Sequence, residues 1–134
     1  MPTLTAHTDL TGPAYLTHLR TAAGHALLAD EPVEAGGQDQ APSPGELLAA
    51  ALSACTCITV RLYAARKAWP LESIEAEVQF ENAADHVVRS LQRTLTLGGA
   101  LSEEQRQRLL AIAERCPIHK SLEGSIAITT TLSV

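Results

Sequence analysis

The chain is short of aromatic residues: they make up 3% of its 134 positions, with one tryptophan, two tyrosines and one phenylalanine. A core without large rings is built from Leu, Ile, Val and Ala, which hold most of the 46% hydrophobic content. Small side chains favour close helix–helix and helix–sheet packing. A run of basic residues is also missing. Lys and Arg number 10 against 15 Asp and Glu, for a net charge of −5, and the charges are scattered. That excludes the electrostatic footprint of a nucleic-acid binder and disfavours an anionic membrane surface. The longest nearly apolar run, Leu47 to Val60, has 14 residues and contains Ser53 and Thr56. A membrane span needs roughly 20. Met1 to Leu10 lacks a charged region leading into an apolar one, so no signal peptide is expected. The three cysteines are not the even set of a secreted disulfide scaffold. The expectation is a cytoplasmic protein with free thiols, a setting in which thiols that do pair are usually transient and catalytic.

What is present reads as one α+β domain over residues 1–134, with no repeat, linker or low-complexity tract. Met1 to Gly12 reads as a loose leader. Tyr15 to Thr21 and His25 to Asp30 are short candidate strands around the turn Ala22-Ala23-Gly24. Asp30 to Ser43, with Pro32, Gly36, Gly37 and Pro42, is a loop, and long enough to suggest a role. Ser43-Pro44-Gly45-Glu46 is a helix start, with Ser43 as N-cap, Pro44 at the first helical position and Glu46 closing a capping box. The helix is expected to reach about Lys67 and to stop before Pro70. Its first half is apolar on nearly every side, so one sheet cannot cover it. A second helix or another subunit must cover the rest.

Downstream, Leu71 to Phe80 alternates as a half-exposed strand: Ile74, Ala76, Val78 and Phe80 on one side, Glu75, Glu77 and Gln79 on the other. His86 to Leu97 is a second, less regular strand ended by Gly98-Gly99. Ser102 to Gln105 is another capping box. The helix after it places Leu109, Ile112 and Cys116 on one apolar face. Gly124 to Val134 closes the chain as an expected strand. The order is β-β-α-β-β-α-β.

Cys116 ends the second helical stretch and precedes Pro117, while Cys55 and Cys57 lie in the long helix. Two residues apart on a helix, Cys55 and Cys57 point to nearly opposite sides, so at most one can face Cys116. Two such thiols can run a redox cycle: a thiolate attacks the O–O bond of a peroxide, and the resulting sulfenic acid condenses with the second thiol to a disulfide. The first thiol then needs a cationic or hydrogen-bonding neighbour from elsewhere in the fold, because mid-helix burial raises its pKa. Spacing alone leaves this open beside two ordinary core cysteines.

The segment Pro42-Ser43-Pro44-Gly45-Glu46-Leu47-Leu48-Ala49-Ala50-Ala51-Leu52-Ser53-Ala54-Cys55 resembles the central helix of the OsmC/Ohr family of thiol peroxidases. Arg115-Cys116-Pro117-Ile118-His119 resembles the second cysteine motif of its OsmC-like branch. So do Asp30-Glu31-Pro32 with Gly36-Gly37, and Arg66-Lys67-Ala68-Trp69-Pro70-Leu71-Glu72. The resemblance implies an OsmC-like two-layer fold, an intertwined homodimer around paired long helices, and reduction of organic hydroperoxides. It further implies Cys55 as the peroxidatic and Cys116 as the resolving cysteine, regeneration by an external dithiol, and no metal or organic cofactor. Cys57 has no counterpart and reads as a small buried apolar residue.

The chain departs from the family in one respect. The well-characterised branches bring an arginine from the N-terminal strands or the following loop to the thiolate, held by a glutamate ten positions before the cysteine. Here no arginine lies between His25 and Ile58. Arg20 precedes the turn, His25 lies close to where one branch keeps its arginine, and the tenth position is Gly45. Glu46 is the candidate acid, turned by about 100° from that place, and it also fits the capping box. His119 reads as a half-exposed structural histidine, Trp69 as a plug at the helix end, and Asp30 and Glu31 as loop charges. Cys-x-Cys in a straight helix cannot aim both sulfurs at one ion, which disfavours a zinc site. The competing picture is a non-catalytic dimer with core cysteines and a small apolar ligand in an Ala/Leu-lined pocket.

Overall fold

A computed structural model describes residues 1–133. The chain forms two compact units, one made of Met1–Ala49 with Asn82–Val88, the other of Ala50–Glu81 with the residues from Arg89 on. The first holds an antiparallel sheet, β1 (Leu4–Thr8), β2 (Thr17–Thr21) and β3 (Ala26–Ala29), in the order β1-β2-β3. β1 stands where the sequence suggested a loose leader. It pairs with β2 from Leu4↔Thr21 to Thr8↔Thr17, so the β2 edge supplies order that the polar β1 residues do not signal. The β2–β3 turn closes with Gly24 at φ 95°, a conformation open to glycine at little cost.

The loop after β3 is organised by Asp30, which is buried at 2% exposure. Its carboxylate accepts the backbone N–H groups of Glu31 (2.7 Å), Gln40 (3.1 Å) and Gln38 (3.4 Å). The Gln40 N–H, with those of Glu31 and Gln38, holds the carboxyl below its ordinary range against the opposing effect of burial. Asp30 is therefore the anchor of the loop and more than a loop charge.

Helix α1 (Pro44–Arg66) begins with the expected capping box: Ser43 N–H donates to Glu46 Oε1 (3.0 Å), and Glu46 N–H donates to Ser43 Oγ (3.2 Å). With 23 residues it is, by length and composition, long and apolar enough to cross a membrane. Its packing is that of a core helix: Val60 and Ala64 are buried with Leu109, Ile112 and Ala113. The opposite face is uncovered in the single chain, with Ile58 61% and Leu62 52% exposed.

The helix ends in a Schellman arrangement. Trp69 N–H bonds Ala64 O, and Ala68 N–H bonds Ala65 O. Trp69 meets the Tyr63 ring edge-on at 5.6 Å, so it is the plug that the sequence suggested. The left-handed position falls on Ala68, at φ 54°.

Strands β4 (Ser73–Gln79) and β5 (Gln92–Gly98) pair antiparallel, with Ile74↔Leu97, Ala76↔Leu95 and Val78↔Arg93 in register. Ile74, Leu95 and Leu97 pack on the core cluster. β5 starts at Gln92 and not at His86, because His86 adopts a left-handed backbone, φ 60°, which no strand contains. Helix α2 (Glu103–Ala113) carries the Ser102–Gln105 capping box.

Two further elements differ from the sequence expectation. α2 stops at Ala113 and does not reach Cys116, which instead caps a third helix, α3 (Pro117–Glu123). A residue before proline is driven out of the α region, and Cys116 sits at φ −62°, ψ 139°. The closing strand is absent over residues 125–133, where Ile126 and Ile128 are 61% and 84% exposed; Val134 lies outside the described residues. The segment has strand alternation but pairs with neither sheet.

Two outcomes follow. Replacing Ala68 with glycine removes a left-handed alanine and raises stability by about 1 kcal/mol, read as a shifted denaturant midpoint at constant slope. Because its folded pKa is lowered, Asp30 contributes stability that is complete above the unfolded carboxylate value of about 3.9 and is lost as pH falls through the folded value. Asp30→Asn flattens the acid limb of the melting-temperature profile, while an unchanged limb would remove Asp30 as the anchor.

Candidate active site

The buried line of α1 runs through Leu52, Thr56, Val60 and Ala64. Thr56, fully buried, is the polar member of that line. Its hydroxyl donates to Leu52 O at 2.7 Å and accepts from Arg93 Nη1 at 3.0 Å. Cys55 is next in the chain and half-buried, with its sulfur 4.0 Å from Thr59 Oγ1. Cys57 faces another way, with its thiol 4.0 Å from Ile74 O on β4, a small side chain against the sheet.

Cys116 has no solvent exposure. Its extended backbone lets its sulfur cap α3, accepting the His119 N–H at 3.3 Å. Burial pushes this thiol up. The N–H of His119, the side chains of Cys55 and Thr56, and the N–H of Ile118 together outweigh burial, and the thiol lies below its ordinary value. Cys55 is thus among the side chains that act on the Cys116 thiol, and both thiols are free.

His119 belongs to this site by side chain as well as backbone. Its Nδ1 lies 3.0 Å from Arg93 Nη2 and its Nε2 lies 2.7 Å from Glu123 Oε1. A guanidinium has no acceptor, so Nδ1 must present its lone pair; Nε2 then carries the proton and donates it to the carboxylate. The histidine is structural, as the sequence suggested, but within the thiol site. Glu46 is engaged in its capping box.

Sequence reasoning missed Arg93. It searched for a cation among the N-terminal strands and their loop, and the cation beside the thiol pair comes from β5. The signal was the register Leu91-x-Arg93-x-Leu95-x-Leu97, which places an arginine at an inward position of an otherwise apolar row. Thr56 was noted only as an interruption of the apolar run. Among the described residues no three His, Cys, Asp or Glu side chains come together as a group that could hold a metal.

An α+β fold with a thiol pair between a long apolar helix and a proline-capped helix defines a class of cysteine proteins. The family model described as OsmC-like protein matches residues 37–131, and the chain belongs to that family. Among solved structures, a putative osmotic stress induced and detoxification response protein from Psychrobacter arcticus is 25% identical, with TM-score 0.74 over 90% of this chain and 85% of that one. An organic hydroperoxide resistance protein OsmC from Legionella pneumophila is 24% identical, with TM-score 0.64 over 92% and 90%. An OsmC-like protein from Mycoplasma pneumoniae, 19% identical, reaches TM-score 0.75 over 92% and 88%. No curated protein matches the chain significantly.

The donors around Cys116 have a measurable consequence. In a Cys55→Ser/Cys57→Ser variant, thiolate ultraviolet absorption rises at lower pH in the native protein than in the denatured chain, whose midpoint falls near the ordinary thiol value of about 8.5. Burial without effective donors gives the reverse order, and that result would contradict the site geometry.

Proposed function

We propose that this protein is a cysteine-based peroxidase that reduces organic hydroperoxides. It works as a cytoplasmic homodimer, without metal or organic cofactor, and an external dithiol regenerates it. The Cys55 side chain acting on a lowered Cys116 thiol, whose sulfur accepts the His119 N–H at 3.3 Å, is the observation that carries this reading. Family membership supports it, as do structural neighbours named organic hydroperoxide resistance proteins, one of them from Elizabethkingia anophelis. The uncovered Ile58 and Leu62 face supports pairing of two copies along α1, which would also remove apolar surface from water.

The chemistry needs one of the two sulfurs as thiolate and the other as thiol. With the charge on Cys55, the more accessible sulfur, its thiolate attacks the distal oxygen of the hydroperoxide. The O–O bond breaks and the alkoxide leaves, taking the proton held by Cys116. Cys55 is then a sulfenic acid and Cys116 a thiolate. The Cys116 sulfur attacks the Cys55 sulfur, hydroxide leaves and takes a solvent proton, and a disulfide forms. Two electrons have passed from the thiol pair to the peroxide. An external dithiol attacks the more accessible Cys55 sulfur and expels Cys116, whose lowered pKa makes it a good leaving group.

Limiting alkyl hydroperoxide converts the two free thiols to one intramolecular disulfide, seen by mass spectrometry as the loss of two hydrogens. Cys116→Ser stops at a Cys55 sulfenic acid that a cyclic diketone probe traps. Cys55→Ser abolishes turnover, and peroxide consumption unchanged in that variant would rule the mechanism out.

A further inference from the structure

An arginine pointing from a sheet into an apolar core is costly unless its donors are met. Arg93 occupies such a position on β5, opposite Val78 and two residues from Leu95. Two of its donors are met at 3.0 Å, by Thr56 Oγ1 on α1 and by His119 Nδ1 on α3. His119 also carries a donor to the Cys116 sulfur, its backbone N–H at 3.3 Å.

We propose that Arg93 is a positioning residue of the Cys116 thiol, anchored to α1 through Thr56 and holding His119 so that its backbone N–H meets the sulfur. The inference rests on the thiol-peroxidase reading for its catalytic meaning, but its geometry stands apart from it. Two physical effects combine. Guanidinium cannot accept a hydrogen bond, so Arg93 occupies a lone pair of Thr56 Oγ1 and leaves that hydroxyl as donor. That hydroxyl proton goes to Leu52 O at 2.7 Å, so Thr56 ties the guanidinium to the backbone of α1. On the other side, Arg93 fixes the His119 ring through Nδ1, and Glu123 fixes it through Nε2. With the ring held at both nitrogens, the first turn of α3 is held, and with it the backbone N–H that meets the sulfur. The charged and titratable groups gathered here are Arg93 from β5, His119 and Glu123 from α3, Cys55 from α1 and Cys116 itself. Arg93 is the permanent cation among them.

The test compares wild type with Arg93→Met, which keeps much of the length and none of the donors, and Arg93→Lys, which keeps the charge on a head that cannot form the fork. In the Cys55→Ser/Cys57→Ser background, Arg93→Met raises the thiolate midpoint of Cys116 by about one unit, a tenfold change in thiolate at fixed pH. The lysine variant falls between. In the full chain, the step from sulfenic acid to disulfide slows about tenfold near neutral pH and returns to the wild-type rate once the pH exceeds the raised midpoint. A merely structural role slows the step at every pH. Far-ultraviolet circular dichroism and a thermal melt verify folding, and if the methionine variant does not fold, the lysine variant carries the comparison. Midpoints equal to wild type in the folded variants overturn the proposal. The titration needs no peroxide, so inertness of the wild-type thiols toward hydroperoxide sinks the peroxidase reading and leaves the role of Arg93 to be judged by the midpoints.

Discussion

The position of one sulfur depends on one ring. Pro117 forbids helical backbone at the residue before it, and Cys116 therefore leaves α2 and turns its side chain back to cap α3. Had the helix continued, the Cys116 thiol would have been one more apolar contact beside Leu109 and Ile112. In the extended conformation the sulfur instead receives the His119 N–H and stands next to Cys55 and Thr56. The same residue is thus fully buried and supplied with donors, and these two conditions oppose each other in their effect on the thiol. Here the donors prevail.

Beside that sulfur a polar thread runs inward from the surface: exposed Glu123, then His119, Arg93 and buried Thr56, each bonded to the next at 2.7 to 3.0 Å. Buried charge is tolerated only when it is paired and hydrogen-bonded, and a thread of this kind fixes more than energy. Arg93 ties β5 to α1 and α3, so the strand, the long helix and the cap are held at one point. The rest of this unit is ordinary hydrophobic packing, with Val60, Ala64, Leu109, Ile112 and Ala113 shut away from water. Aliphatic packing supplies the platform and the polar thread sets the chemistry.

Much of this was legible in the chain. Both capping boxes form at the residues whose types announce them, Ser43 with Glu46 and Ser102 with Gln105. The alternation of Ile74, Ala76 and Val78 with Glu75, Glu77 and Gln79 gave β4 its inward face. The likeness of the residues around Cys55 and Cys116 to OsmC/Ohr motifs agrees with the family match. Other features were hidden for identifiable reasons. β1 is polar and forms because β2 offers an edge. The alternating C-terminal segment stays unpaired because alternation does not supply a neighbouring strand. The inward register of Arg93 is visible in the row Leu91, Arg93, Leu95 and Leu97, but its partners Thr56 and His119 come from distant elements and leave no local sign.

Local chemistry, then, fixed where helices start and stop, which strand faces are apolar, and which cysteine lies ahead of a proline. Such properties depend on a few adjacent residues and on the periods of helix and strand, so they survive without knowledge of the fold. Contact between residues far apart in the chain does not. That Cys55 acts on the Cys116 thiol, that Thr56 and His119 share one guanidinium, and that Asp30 gathers three backbone donors were decided by the tertiary structure. Each of those contacts depends on the three-dimensional placement of whole elements, and no local pattern encodes that placement.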